Sequence, residues 1–208
     1  MTTQQKWTTL ASEASIQKTL DATKARGINS MVVGNKEEAM VKLHELIPAG
    51  SEVMTGSSTT LDEIGFNKLL ASGSPFKSVG ATIRAENDEA KRNALRKQAV
   101  LSDYFLGSVH AVAETGEMLA ASRTGSQFGP YAFTSSHVIL VVSTQKIVPT
   151  LSDALERIRT HVYPLEDQRM KRAMGPQASS MIGKILIIEN EAFKGRLTLV
   201  LVKEHLGF

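Results

Sequence analysis

The sequence predicts an α/β fold: an open, mostly parallel sheet flanked by helices on both faces. Three observations carry it. After a leading helix, short strand-like runs and amphipathic helical stretches alternate as β-α-β-α through the first third of the chain. That order calls for parallel strands joined by right-handed crossovers. His137–Ser143 is a continuous apolar run, the pattern of a central strand buried on both faces. Lys184–Ile188 and Arg196–Val202 are two further strand runs, and Glu189–Gly195 between them is too short for a helical crossover. They are therefore expected to pair antiparallel at the C-terminal edge of the sheet. Residues 1–11 read as a flexible arm and residues 12–208 as a single domain, with no repeat or linker dividing it.

The elements follow in order. Ser12–Arg26 places Ile16 and Leu20 one turn apart and stops at Gly27, as a helix with a glycine stop does. Ser30–Val33 is a short strand. Asn35 then stands as an N-cap with Glu38 at the capping-box position, and Met40, Leu43, Leu46 and Ile47 share one helix face. Glu52–Thr55 is a second short strand, and Gly56–Thr60 is a tight turn in which Gly56 is expected where a Cβ would clash. Thr60 with Glu63 fits a capping box, opening an amphipathic helix toward Leu70. Ala71–Gly80 is a turn-rich connection. Glu86–Ala99 is a charged helix capped at Asn87, acids first and bases last as the helix dipole favours. Val109–Glu114 and Glu117–Ala121 are two extended runs around Thr115-Gly116, which suggests a hairpin or a strand with a sharp bend. Ser122–Ser136 is a Gly-, Ser- and Thr-rich loop of functional length. Leu151, Leu155, Ile158 and Val162 form a helical stripe that Pro164 breaks or restarts, and the basic, Met-bearing Glu166–Lys184 is an excursion from the sheet.

Composition narrows the function classes. A net charge of +3 is too mild for an electrostatic DNA or membrane surface, and 5% aromatics leave little for base stacking. Nucleic acid and membrane are therefore not expected partners. Cysteine is absent, so the chain offers no disulfide, thiolate nucleophile or iron–sulfur ligand set, which fits a cytoplasmic setting. The five histidines are scattered without His-x-His or His-Glu-x-x-His spacing, so no metal site is expected. No glycine-rich dinucleotide or Walker signature occurs, and no cofactor bound by this chain is evident.

What remains is an anion site. Gly56, Ser57, Ser58, Thr59 and Thr60 put several hydroxyls and backbone N–H groups at a strand-to-helix turn, a setting suited to phosphate or carboxylate. The same hydroxyls also serve as ordinary N-caps. Glu114, beside Thr115 and Gly116, ends an apolar strand. In an open α/β sheet such a position faces the ligand crevice, where a carboxylate can act as general base or nucleophile. The alternative is a structural carboxylate accepting backbone N–H groups. Lys146 follows the buried strand and can meet a ligand's negative charge, the alternative being an ordinary solvated lysine. Arg123, Ser126 and Gln127 lie in the loop and can close over a ligand. His110 is the one histidine in this region, read as a hydrogen-bonded core or rim residue.

Leu101–Val148 then resembles a known family. Ser102-Asp103-Tyr104-Phe105, Ala113-Glu114-Thr115-Gly116, His137–Val141 and Lys146-Ile147-Val148 occur in the order seen in the lactate-utilisation (LUD) domain family. Ser58–Gly65, Leu155–Ile158 and Val200–Phe208 extend the resemblance over about Ser12 to Phe208. It implies a fold like that of the ribose-phosphate isomerase and CoA-transferase group, and a homodimer. It also implies a ligand-binding or accessory role in oxidising lactate or another organic acid, beside iron–sulfur or flavin-type partner subunits. Two departures stand out: many relatives have Asn near His110, and this chain lacks the Cys-rich tail or ferredoxin-like domain that some carry. The fold group supports a second expectation, a stand-alone enzyme or sensor. It would bind a phosphate- or CoA-containing small molecule at Gly56–Thr60, with Glu114 nearby.

Overall fold

A computed structural model describes residues 3–208, with side chains from Lys6 onward. Helices α1 (Thr3–Thr8) and α2 (Glu13–Ala25) lead into β1 (Asn29–Val33), α3 (Lys36–Leu46), β2 (Glu52–Thr55), α4 (Thr59–Glu63) and α5 (Phe66–Ala71). Then come β3 (Lys77–Ser78), α6 (Val79–Ala85), α7 (Glu89–Gln98), β4 (Tyr104–Gly107), β5 (Ala111–Ala113) and β6 (Met118–Ser122). The last third holds β7 (His137–Ser143), β8 (Ile147–Val148), α8 (Leu151–Arg157), α9 (Tyr163–Met174), β9 (Lys184–Ile188) and β10 (Leu197–Val202).

Six strands form one all-parallel sheet in the order β1-β10-β7-β4-β2-β3. Its two faces are covered separately. Leu197, Leu199, Leu201, Val138, Leu140 and Val142 pack with Ile16 and Leu20 of α2. Val200, Val202, Ile139, Val141 and Leu106 pack with Leu43 of α3, Leu61 of α4 and Phe66 of α5. Alternate residues of each strand thus serve opposite faces, and each fully buried aliphatic side chain contributes about 1.5–3 kcal/mol. The α/β expectation holds.

The C-terminal strands correct one part of it. β9 and β10 do not pair with each other. β10 lies between β1 and β7, parallel to both, with Leu201 opposite Val32 and Val142. β9 joins a second, four-stranded sheet in the order β8-β5-β6-β9 and runs antiparallel to β6. The reason is burial. All of Leu197–Val202 is buried, as only an interior parallel strand is, whereas Lys184–Ile188 is only partly covered. The hairpin about Thr115-Gly116 is present as antiparallel β5 and β6. The small sheet leans on the α2 side of the large one through Val112, Met118 and Ala120. Its opposite face meets Ala154 and Ile158.

Local details also differ from the sequence reading. The stretch expected as a flexible arm contains α1, and Trp7 is buried against Ala111, Leu119, Val148 and Ile158; residues 1–2 lie outside the described residues. α4 starts at Thr59, where the sequence places it, but its N-cap is Ser58, whose Oγ accepts from the Leu61 N–H at 3.3 Å, and not Thr60. Glu63 accepts instead from the Gly207 N–H. Gly65, in the left-handed region at φ 82°, divides the expected single helix into α4 and α5. Asp88, not Asn87, caps α7. Among the described residues no helix is long and apolar enough to cross a membrane.

Candidate functional site

Three parallel strands of the large sheet end in one region. β2 runs into Gly56–Thr60, β4 into Ser108, and β7 into a 3-10 turn, Thr144–Lys146. Beyond them opens a cleft of about 420 Å³, where the loops of an open parallel sheet meet ligands. The hairpin and the following loop close one side with His110, Ala121, Arg123 and Gln127. Val162, Tyr163, Arg169 and Met181 close another.

Lys146 is the buried cation of this cleft, with 2% of its surface exposed. Its Nζ donates to Thr60 Oγ1 at 3.1 Å and, more weakly, to Ser108 Oγ at 3.4 Å. Among the described residues no carboxylate forms an ion pair with it. Burial pushes its ammonium down to about 7, the Arg157 charge adds to that, and Glu63 opposes it. Arg157 is itself fully buried. It donates to the carbonyls of His110 and Trp7, and so ties the cleft's rim to α1 and α8.

Ser108 is held by the residues around it. Tyr131 donates from its phenol to the Ser108 carbonyl at 3.0 Å. A Cβ at Gly107 would stand 1.9 Å from the Tyr131 hydroxyl, so a glycine is needed for this contact. The Ser108 hydroxyl donates to the Val109 carbonyl at 3.3 Å, which leaves its oxygen as the acceptor for Lys146.

His110 lines the cleft as a neutral ring. Burial, then the charges of Lys146 and Arg157, pushes it down to about 3. Its Nδ1 accepts from the Ala121 N–H at 3.0 Å, so the proton sits on Nε2. Among the described residues Nε2–H has no protein acceptor.

The wall charge is lopsided. Arg96, Arg123, Arg169 and Lys146 line the cleft. Glu166 is the acidic side chain on that wall among the described residues, and Arg169 holds both its oxygens at 2.7 Å. Arg123 has no hydrogen-bond or ion-pair partner among the described residues. Met54, Phe105, Val109 and Ile158 add an apolar surface. The arrangement suits an organic anion: cations and a neutral donor for its charged end, hydrocarbon for its body.

Gly56, Ser57, Ser58, Thr59, Thr60, Gln127 and Lys146 are thus brought together at one cleft, with Arg123 and Ser126 beside them. Gly56 is there for a different reason than expected. A Cβ on it would meet Gln127 Oε1 and Phe105 at ordinary contact distances, so no clash requires glycine. Glu114, Thr115 and Gly116 lie elsewhere. Glu114 accepts from Ser15 Oγ at 2.6 Å and pairs with Lys18 at 2.9 Å on α2. These partners, Ser15 first, hold its carboxyl below the ordinary range. The Thr115 carbonyl accepts from Arg26 Nε, and Gly116 packs on the same side chain. The cause is topological: Glu114 follows β5, a strand of the small sheet, whose end does not open on the crevice of the large one. Ser108 and the Gly107–Tyr131 contact were missed. The signal for Ser108 was a repeat: Gly-Ser recurs at the ends of β2 and β4, as Gly56-Ser57 just after the first and as Gly107-Ser108 closing the second.

Comparison with known proteins fits this architecture. The family model described as the LUD domain matches residues 16–202. No curated protein matches the chain. A crystal structure of a DUF162 family protein from Deinococcus radiodurans aligns with a TM-score of 0.54 at 14% identity, covering 93% of this chain and 99% of that one; at that identity the likeness is one of fold. With the family model spanning all ten strands but the arm helix α1 outside it, the chain belongs to the LUD domain family.

Proposed function

We propose that this protein is the ligand-binding or accessory unit of a lactate-type organic-acid oxidation, taking a small anionic metabolite in the Lys146 cleft. Iron–sulfur or flavin-type partner subunits, in the cytoplasm, would carry the electrons. The observation that carries the reading is Lys146: a buried cation at an open cleft, bonded only to hydroxyls. Burying a charge without a partner is costly, and a ligand's carboxylate or phosphate supplies that partner. Arg123 and Nε2–H of His110 give the same anion further donors.

A second reading has its own support. The cleft is larger than lactate fills and carries Arg96 and Arg123 away from an acid partner, which favours a phosphorylated or CoA-type ligand bound by a stand-alone enzyme or sensor. A thermal-shift panel of lactate, pyruvate, sugar phosphates and CoA esters separates the two. A ligand at a hundred times its Kd adds about 2.7 kcal/mol, or roughly 5–10 °C in Tm for a chain of this length. Shifts confined to carboxylates support the first reading and shifts confined to phosphates the second. A flat panel that stays flat beside a Lys146→Met control contradicts both.

A further inference from the structure

We infer that Lys146 is a covalent nucleophile whose Nζ condenses with the aldehyde or ketone carbonyl of an organic anion held in the cleft. The inference rests on the anion-site reading of the same cleft and adds a reaction to it.

The geometry supplies what an amine nucleophile requires. Lys146 is the buried lysine among the described residues, at 2% exposure, and it lines the cleft rather than the closed core. A neutral amine has two N–H groups and one lone pair. Thr60 Oγ1 and Ser108 Oγ lie where they accept the two N–H groups, which leaves the lone pair free. Among the described residues no carboxylate forms an ion pair with the nitrogen; Glu63 favours its charged form from a distance, and the buried Arg157 charge outweighs it in favour of the neutral form. A lysine desolvated beside another cation is one of the recurrent forms of an activated amine. A solvated ammonium at neutral pH is a poor nucleophile by comparison.

The Nζ lone pair forms a bond to the carbonyl carbon, and the C=O π pair moves to oxygen. That oxygen takes a proton, and nitrogen gives one up, producing a carbinolamine. The hydroxyl takes a second proton, drawn from solvent at the open mouth of the cleft, and leaves as water while nitrogen's lone pair closes the C=N bond. The imine keeps one proton on nitrogen and stays cationic beside the ligand's own negative charge. Thr60 Oγ1, within 3.1 Å of Nζ, is placed to relay the proton between nitrogen and oxygen. The ligand class that follows is an anion with a carbonyl next to its charged end, a 2-oxo acid or a keto or aldehyde phosphate.

The test is reductive trapping on the full chain. The protein is incubated at pH 7 with sodium cyanoborohydride and either pyruvate, as the carboxylate probe, or dihydroxyacetone phosphate, as the phosphate probe. Intact mass and peptide mapping follow. The expected result is one saturable adduct per chain, on the peptide that contains Lys146. Lys146→Arg should abolish it, and a non-carbonyl anion of the same class should slow it. The arm that labels first identifies the anionic group. Adduct spread over exposed lysines overturns the inference. So does calorimetric binding of the probes with no adduct, which leaves the anion site standing. Neither binding nor adduct overturns both. If Lys146→Arg does not fold, the wild-type peptide map decides alone.

Discussion

Replacing Lys146 by Met should change how stability depends on pH more than it changes stability itself. In the unfolded chain the amine titrates at its ordinary 10.5; in the fold it is pushed down to about 7. Between those values the unfolded chain binds about one proton more than the folded one, so wild-type stability rises with pH. The burial penalty is fully present below about pH 7 and gone above about pH 10.5. Its slope is limited to about 1.4 kcal/mol per pH unit. Over that span it integrates to at most about 5 kcal/mol, and relaxation around a forced charge brings it lower. Lys146→Met keeps the volume and removes the titration. It also leaves Thr60 and Ser108 without a donor, at about 1 kcal/mol each whatever the pH. Urea denaturation of both proteins from pH 6 to pH 10, without ligand, gives the difference, in which the other titrating groups cancel. Wild type should gain on the variant by at least about 2 kcal/mol between pH 7 and pH 10. A difference flat to within about 0.5 kcal/mol would show that Lys146 keeps its proton in the fold, and the neutral-amine argument would fail.

Other substitutions probe the rest of the account. Glu114→Gln should leave ligand binding unchanged and lower stability by about 1 kcal/mol or less, since its partner Lys18 is exposed. Because its folded value is depressed, that contribution should be present at pH 7 and vanish as pH falls through the carboxylate range, read by denaturation at pH 7 and pH 3. Gly107→Ala puts a methyl into the Tyr131 hydroxyl. It should cost about 1–3 kcal/mol and weaken anion binding together, because Tyr131 holds Ser108; unchanged affinity would remove Ser108 from the site. Trp7→Ala should cost about 3–5 kcal/mol by denaturation, and the wild-type fluorescence, from the chain's single tryptophan, should show a buried indole.

The fold was legible where burial writes itself into composition. His137–Ser143 declares an interior strand because Val138–Val142 is buried on both faces, so polar residues stand only at its ends. Leu197–Val202 carries the same signature, yet its place between β1 and β7 is a long-range choice that a short connection to β9 disguised. Half of the site was legible in the same way. Gly56–Thr60 and Lys146 follow strands of the large sheet, and the structure joins Thr60 to Lys146 across 86 positions of sequence. Glu114 also follows a buried strand, but strand ends say nothing about which sheet they belong to. The role of Arg157 was hidden because a buried arginine bonded to two carbonyls, of Trp7 and His110, has no local sequence mark. Its partners are set by how α1 and α8 pack.

The most direct test of the anion site is titration calorimetry with lactate and glycerol 3-phosphate, ligands without a carbonyl, at about pH 8 in two buffers of different ionisation enthalpy. With Lys146 mostly neutral there, a bound anion favours its charged form, so binding should take up as much as about one proton. Saturable heat from at least one ligand, larger or smaller with the buffer as proton uptake requires, is the expected result. It should disappear in Lys146→Met and persist in Glu114→Gln. The same heat in Lys146→Met, or none in wild type, would contradict the assignment of this cleft.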